Sequence, residues 1–158
     1  MQILKWILIL VVVGLLVAAA VAPIGPVPGV YAGGDASAVP DSWGDTSTAL
    51  EIELQVGEGP VGRIVTIWTA QVDGNLYVTG SKDSGWVRGV GAGGPVRVWL
   101  NNKLYDLAAT PVVGAEAVAA LTGWHAKYVK HYPDMMSEFP SPEEGAQVAV
   151  VYKLTERS

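Results

Sequence analysis

The sequence predicts a mainly β domain with helices: a small barrel of six short strands, one short helix and one long helix, behind an N-terminal transmembrane helix. Three observations predict this fold class. Residues 3–22 are an apolar run with a single charge, Lys5. The rest of the chain alternates short β-rich runs with turn residues, and the 19 glycines and 10 prolines of the whole sequence indicate many turns. One long helical period lies late in the chain.

The composition excludes several classes of function. The 158 residues include 15 acidic and 10 basic side chains, a net charge of -5, whereas a nucleic-acid-binding protein needs a basic surface that displaces counterions. The absence of cysteine excludes disulfides, thiolate nucleophiles, iron–sulfur clusters, cysteine-type zinc sites and a lipoprotein anchor. We therefore expect no nucleic-acid partner, and no metal-ligand spacing is present.

Residues 1–22 are predicted to form a transmembrane anchor or a signal segment. An apolar run of about 20 residues is long enough to cross a bilayer as a helix, and it exceeds the apolar core of a usual signal peptide. The alternative is a secreted protein cleaved near Ala32, where small residues have suitable spacing. Lys5 before the run and Asp35 after it predict, by the positive-inside rule, a single-pass protein of the cytoplasmic membrane with its C-terminal domain extracytoplasmic, or periplasmic.

Residues 23–45 are predicted to be an extended tether. They are rich in Pro, Gly, Ala, Ser and Asp and show no sustained periodicity. The folded domain is then residues 46–158, a common size for a single domain.

Six short runs have the composition or the period of strands: residues 49–59, 62–72, 76–81, 96–100, 103–113 and 146–154. In the first run, apolar residues alternate with acidic and amide residues, which predicts a half-exposed strand. Asp73-Gly74 predicts a hairpin turn between the second and third runs. Asn101-Asn102 predicts another between the fourth and fifth, because asparagine tolerates positive φ.

Two helices are predicted among these strands. Ser84 is the expected cap of a short helix, Gly85–Val90. Residues 115–131 form the long helix, and four of its residues share one apolar face: Ala117, Leu121, Trp124 and Tyr128. Residues 132–142 are predicted to be a loop with a single turn. Closing the six strands into a barrel removes exposed sheet edges.

This order of elements resembles a known superfamily. The segments GRIVTIWTAQVDGNLYV, TGSKDSGWVRGV and PVRVWLNNKLYDLAATPV are similar to those of the split β-barrel of flavin- and deazaflavin-binding oxidoreductases, which includes pyridoxamine-phosphate-oxidase-like proteins and deazaflavin-dependent nitroreductases. The resemblance covers residues 49–154. It implies a six-stranded split β-barrel, FMN or deazaflavin F420 as cofactor, oxidoreductase activity and a homodimer.

The resemblance and the local sequence together indicate candidate cofactor-binding residues. The resemblance implies that Arg63, Ser81 and Lys82 contact the phosphate and that Trp86 lies beside the ring, which the backbone of Thr66, Ile67 and Trp68 faces. Independently, a serine-rich turn with Ser84 at a helix start is typical of anion binding; the alternative is an ordinary solvated turn. No catalytic residue is predicted. Trp99 and Trp124 are expected in the core and Trp86 outside it.

Two alternative functions follow from other features. A cofactor-free binding or scaffold module on the outer face of the cytoplasmic membrane is favoured by the short loop GEGPVG, which contains no basic residue before Arg63. A haem-binding barrel would use His125 or His131 as an iron ligand. These two histidines are six residues apart and do not share a helix face, so a metal pair is not expected.

Overall fold

The computed structural model describes residues 2–21, 33–59 and 61–157. Within these ranges the elements in chain order are α1 Gln2–Val21, β1 Asp35–Ala36, β2 Ile52–Val56, β3 Arg63–Ile67, β4 Thr69–Val72, β5 Asn75–Ser81, α2 Gly85–Val90, β6 Gly94–Leu100, β7 Lys103–Val112, α3 Gly114–Tyr128, α4 Pro133–Met136, α5 Pro142–Val148 and β8 Ala149–Glu156. The cleavage site predicted near Ala32 lies outside the described residues.

The prediction of a transmembrane helix is not supported. α1 forms over the predicted apolar run. Among the described residues, however, no helix was found that combines the length and the hydropathy required to cross a bilayer. This finding contradicts the N-terminal transmembrane helix in the predicted fold class.

The sheet curls because one bent segment supplies both of its outer strands. Seven antiparallel strands follow the order β3-β2-β6-β7-β8-β5-β4, and β1 adds in parallel to β7. β3 and β4 lie at opposite ends of this order, yet only Trp68 separates them in the chain. The result is a half-barrel with eight strands and five helices in the described ranges, so the prediction of six strands and two helices in a closed barrel is wrong.

Both predicted hairpins are present. Asp73 and Gly74, with φ of 48° and 75°, join β4 to β5. Asn101 and Asn102, with φ of 51° and 60°, join β6 to β7. Two consecutive positive φ values identify the type I′ turn, whose twist matches that of antiparallel strands. The turn residues therefore set the register of both hairpins.

The main core fills the inside of the half-barrel. Leu54, Leu76, Val98 and Leu107 from four different strands are fully buried there. Trp43 joins the same core from the segment expected to be a tether. The division of the chain into residues 1–22, 23–45 and 46–158 stays a prediction, with the addition that part of the second segment packs on the domain.

α3 packs against β4 and β8, and α5 packs against β8, whereas α2 packs in the main core. In α3 all four residues of the predicted apolar face are buried, which confirms that prediction. The predicted strand 146–154 begins later, at Ala149, because residues 142–148 form α5. A capping box begins this helix: the Ser141 side chain accepts from the Glu144 amide, the Glu144 side chain bonds the Ser141 amide, and Pro142 follows the cap. The predicted loop before it contains α4.

Candidate functional site

Arg63 begins β3 at the end of a firmly held loop. The buried Gln55 side chain donates from Nε2 to the Gly59 carbonyl at 2.8 Å. Arg97 donates from Nη1 to the same carbonyl at 2.9 Å. Gly62 leaves space for Gln55, since a Cβ at Gly62 would lie 2.7 Å from Gln55 Cγ. These contacts hold the loop in place and thereby position the first residue of β3.

The Arg63 guanidinium lies against Gly85, the first residue of α2. A Cβ at Gly85 would lie 2.9 Å from Arg63 Cζ, closer than side-chain packing allows. Arg63 Nε is buried and has no hydrogen-bond partner in the described part of the chain. Among the described residues, Arg63 also takes part in none of the three ion pairs. Within the described ranges, the Arg63 guanidinium therefore lies at the helix start with no ion-pair partner.

The start of α2 is also electrically positive. Ser84 occupies the N-cap position, but its hydroxyl donates to the Ser81 carbonyl at 2.8 Å and caps no amide. The prediction that the Ser84 side chain caps α2 is therefore wrong. The first amides of α2 lack a side-chain cap, and they carry the positive end of the helix dipole. An anion between these amides and Arg63 would be stabilised by both.

The remaining members of the predicted phosphate turn have protein partners. Ser81 Oγ accepts the Asp83 amide at 3.3 Å. Lys82 Nζ donates to the Gln147 carbonyl at 2.7 Å, at the C-terminal end of α5, where a cation is favoured by the helix dipole. The structure thus brings Arg63 to the turn that contains Ser81 and Ser84, and it directs Lys82 toward α5.

The residues predicted to face a cofactor ring lie apart from that turn. Thr66 is exposed, and its hydroxyl bonds a β2 carboxylate at 2.8 Å. Ile67 packs against the main core. Trp68 stacks with Tyr128 and Tyr132, with ring centroids 4.1 Å and 5.2 Å apart. The described contacts of these side chains are therefore with protein, and their roles toward a cofactor stay predictions.

Trp86 belongs to the core, so the prediction that it lies outside is wrong. Its side chain is 7% exposed, and its ring centroid is 5.8 Å from that of Tyr152. Gly80 on β5 explains the placement, because a Cβ there would overlap the indole. Trp99 and Trp124 are buried as predicted.

A cavity of about 340 Å³ opens between α3, α5 and the end of β5; we call it the α3–α5 cavity. Leu121, Trp124 and Phe139 are among its apolar walls, and Ser81 links it to the turn before α2. His125 also lines it, whereas His131 lines a different groove. The sequence pattern did not predict this cavity, because no helix was predicted over α5, one of its walls, and residues 146–148 at its end were predicted to be part of a strand.

Lys127 lies in the second groove, beside His131. Its Nζ donates to the Ala49 carbonyl at 2.7 Å and to the Thr69 carbonyl at 2.9 Å. Burial lowers the pKa of Lys127 to about 8, and the charge of Asp45 opposes this shift only in part. Lys127 therefore bonds two backbone carbonyls while its charged form is destabilised.

We expect the stability of the protein to rise from pH 8 to pH 10 through Lys127. Between the folded pKa of about 8 and the ordinary value of 10.5, the unfolded chain binds more protons at this lysine, so deprotonation favours the fold. Tyr77 and Tyr128, whose pKa values are raised from 10.0 to about 12, oppose this trend only above pH 10. Urea unfolding at several pH values measures the slope.

The control for this experiment is the exposed Lys130. Lys127→Met should reduce the rise in unfolding free energy between pH 8 and pH 10, and Lys130→Met should preserve it. An unchanged slope in Lys127→Met would show that this amine does not contribute to the pH dependence.

Comparisons with known proteins give a likeness in fold. No family model matches the sequence, and no curated protein matches it. The FAD and heme binding protein from Mycobacterium smegmatis superposes with a TM-score of 0.52 at 12% identity, covering 71% of this chain and 63% of that one. The conserved hypothetical protein Rv2991 from Mycobacterium tuberculosis superposes with a TM-score of 0.51 at 16% identity, covering 71% and 76%.

The likeness supports the split-barrel fold class that the resemblance implied. The chain spans 63% of the length of the Mycobacterium smegmatis protein. At these identities the fold is shared, and the residues that bind ligands must be argued from this chain's own geometry.

Proposed function

We propose that the domain binds a flavin or deazaflavin nucleotide by its phosphate, at a phosphate seat formed by Arg63, Ser81, Ser84 and the first amides of α2. The observation that carries the proposal is the Arg63 guanidinium at the uncapped start of α2, with Nε buried and unpartnered. The guanidinium and the positive end of the helix dipole lie together, and both stabilise an anion placed between them. The fold shared with an FAD and heme binding protein supports a flavin as the bearer of that anion.

The residues of the phosphate seat suit a phosphate in chemistry as well as charge. A guanidinium donates two parallel hydrogen bonds to phosphate oxygens, and the α2 amides and the Ser81 hydroxyl add neutral donors. Ser81 also lines the α3–α5 cavity. When bound, the flavin would supply hydride or electron transfer, and oxidoreductase activity and a homodimer are part of this proposal.

The choice among FMN, FAD and F420 rests on parts of the cofactor beyond the phosphate. The haem alternative is supported by the position of His125 in an apolar cavity and by the fold shared with a protein that binds FAD and heme. The same reconstitution experiment separates these cofactors by their absorption spectra.

The test is a comparison of FMN with riboflavin, which has the same ring and no phosphate. The full chain is titrated with each by calorimetry, in parallel with FAD, F420 and haem. We expect FMN to bind much more tightly than riboflavin, and at 100 times its Kd to stabilise the fold by about 2.7 kcal/mol. Equal affinities for FMN and riboflavin would contradict the phosphate seat, and no binding of any flavin would contradict the function.

Gly85→Ala should weaken FMN binding about tenfold, the cost of displacing one charge-assisted contact. The new methyl group would occupy the position of the Arg63 guanidinium. That end of the arginine is flexible, so we expect the unfolding free energy to change little. Calorimetric titration and urea unfolding measure the two quantities.

Gly89→Ala is the matched control for this prediction. Gly89 lies on the same short helix, and its added methyl group would meet Val56 at 3.1 Å, with no Arg63 atom within 4 Å. FMN should bind this variant as it binds the unmodified chain. If Gly85→Ala and Gly89→Ala bind FMN with equal affinity, Gly85 does not contribute to the phosphate seat.

A further inference from the structure

The α3–α5 cavity has the size and lining of a small-molecule site. Its volume of about 340 Å³ lies within the range of known ligand pockets. It is too small for a helix, which is about 10 Å across with its side chains. Its walls are mainly apolar, so water inside would find few partners. These properties favour a compact apolar ligand over a peptide or ordered water.

The rim of the cavity carries exposed apolar side chains. Phe139 is 45% exposed and Val148 is 61% exposed. The Phe139 and Trp124 rings meet edge to face, with centroids 5.3 Å apart. A planar aromatic ligand would cover this apolar surface and add ring contacts of the same kind.

One titratable side chain lines the cavity. His125 is partly buried, and its imidazole makes no hydrogen bond to any residue that the structure describes. The hydroxyls of Thr79, Ser81 and Ser141 already have protein partners. Trp124 Nε1 has no partner in the described part of the chain, but this atom is buried and does not reach the open space of the cavity. An imidazole has at least one N–H donor in either protonation state. His125 is therefore the group with which an acceptor atom of a ligand would pair.

The walls are fixed before any ligand binds. The Ser141 capping box stabilises the start of α5. At the end of α5, the Gln147 carbonyl accepts a hydrogen bond of 2.7 Å from Nζ of Lys82, which lies in the turn after β5. Gly145 brings α5 close to α3, since a Cβ there would lie 3.3 Å from Leu121 Cδ1. A preformed cavity avoids the cost of ordering its walls upon binding.

We propose that the α3–α5 cavity binds a neutral aromatic small molecule of one or two fused rings that bears a hydrogen-bond acceptor, with the rings among Leu121, Trp124 and Phe139 and the acceptor at His125. This site lies beyond the proposed phosphate seat and does not depend on flavin binding.

The test uses two probes of nearly equal shape, 2-acetylnaphthalene and 2-isopropylnaphthalene, of which only the first has an acceptor oxygen. Calorimetry on the full chain measures both. Val148→Trp, which would fill the cavity from an exposed position, should weaken both probes at least about tenfold through loss of the contact area. Val113→Trp, at an exposed valine that does not line the cavity, should leave both affinities unchanged.

His125→Phe keeps an aromatic ring and removes the donor. It should weaken 2-acetylnaphthalene about threefold to tenfold, the value of one hydrogen bond, and leave 2-isopropylnaphthalene unaffected. Equal effects on both probes would overturn the assignment of His125.

Three other outcomes would overturn the site itself. These are no binding of either probe, equal affinities in Val148→Trp and Val113→Trp, and displacement of 2-acetylnaphthalene by FMN or haem, which would show that a cofactor occupies the cavity. Binding of the probes by a chain that binds no flavin would support this site and contradict only the phosphate seat.

Discussion

Replacing Tyr128 with alanine is expected to lower the unfolding free energy by about 3–5 kcal/mol, the usual cost of deleting a buried aromatic side chain. Tyr128 is fully buried at the end of α3. Its hydroxyl donates to the Leu50 carbonyl at 2.6 Å and accepts the Thr69 amide at 2.9 Å. The ring also stacks on Trp68. The Tyr128 side chain thus connects the end of α3 to the residue segment just before β2 and to the bend between β3 and β4.

Tyr128→Phe removes the hydroxyl and keeps the ring, so it measures the contribution of the hydroxyl to stability separately from that of the ring. It leaves a buried amide and a carbonyl without this partner, which should cost about 1–3 kcal/mol. Tyr132 is the matched control, because it stacks on the same indole and no hydrogen bond of its hydroxyl is found in the described structure. Urea unfolding followed by circular dichroism measures all three variants. A Tyr128→Phe variant as stable as Tyr132→Phe would show that the hydroxyl bonds contribute nothing.

Arg63→Ala is expected to lower the affinity for FMN at least about 100-fold. Hydrogen bonds to charged groups contribute about 1.5–3 kcal/mol each, and the planar guanidinium makes two of them to a phosphate. Arg63→Lys keeps the charge and loses this geometry, so its loss should be about tenfold. Riboflavin, which lacks the phosphate, should bind all variants alike.

The control for Arg63 is Arg88, an exposed arginine in the last turn of α2. Arg88→Ala removes the same charge from the same helix and should leave FMN affinity nearly unchanged at physiological salt, where exposed charges are screened. Calorimetric titration at low and high salt measures both variants. If Arg63→Ala and Arg88→Ala weaken FMN equally, the effect is one of net charge, and the phosphate seat is disproved.

Local patterns predicted the hairpins and the long helix well. Asp73-Gly74 and Asn101-Asn102 specify their turns by their own φ preferences. The four apolar residues of α3 repeat at helical spacing and are all buried. In these cases the determining interactions lie within a few residues of each other, so the sequence alone contains the required information.

Several features that the local patterns did not predict depend on interactions between distant segments. The bend at Trp68 depends on Tyr128, 60 residues later, and the orientation of Lys82 depends on the end of α5. The one error that the sequence could have prevented is α5 itself. Ser141-Pro142-Glu143-Glu144 is a capping box with proline at the first helical position, which predicts a helix. The β-branched residues that follow favour a strand instead.

Placement of Arg63 was predicted only in part. The resemblance associated it with the turn after β5, and the structure puts its guanidinium at Gly85. The missing cap on α2 was not predictable, because serine at such a position usually does bond an amide. That deviation leaves the first amides of α2 without a side-chain cap, and the proposed phosphate seat depends on it.

The ribbon that passes through Trp68 also constrains how this domain can change in evolution. Residues along a strand alternate between its two faces, so inserting or deleting one residue at the bend would turn Ala70 and the rest of β4 inside out relative to β3. Surface loops usually tolerate such changes of length. The connection at Trp68 should not tolerate them. We therefore expect homologous chains to vary in length at their hairpin turns while they keep the spacing between Arg63 and Thr69.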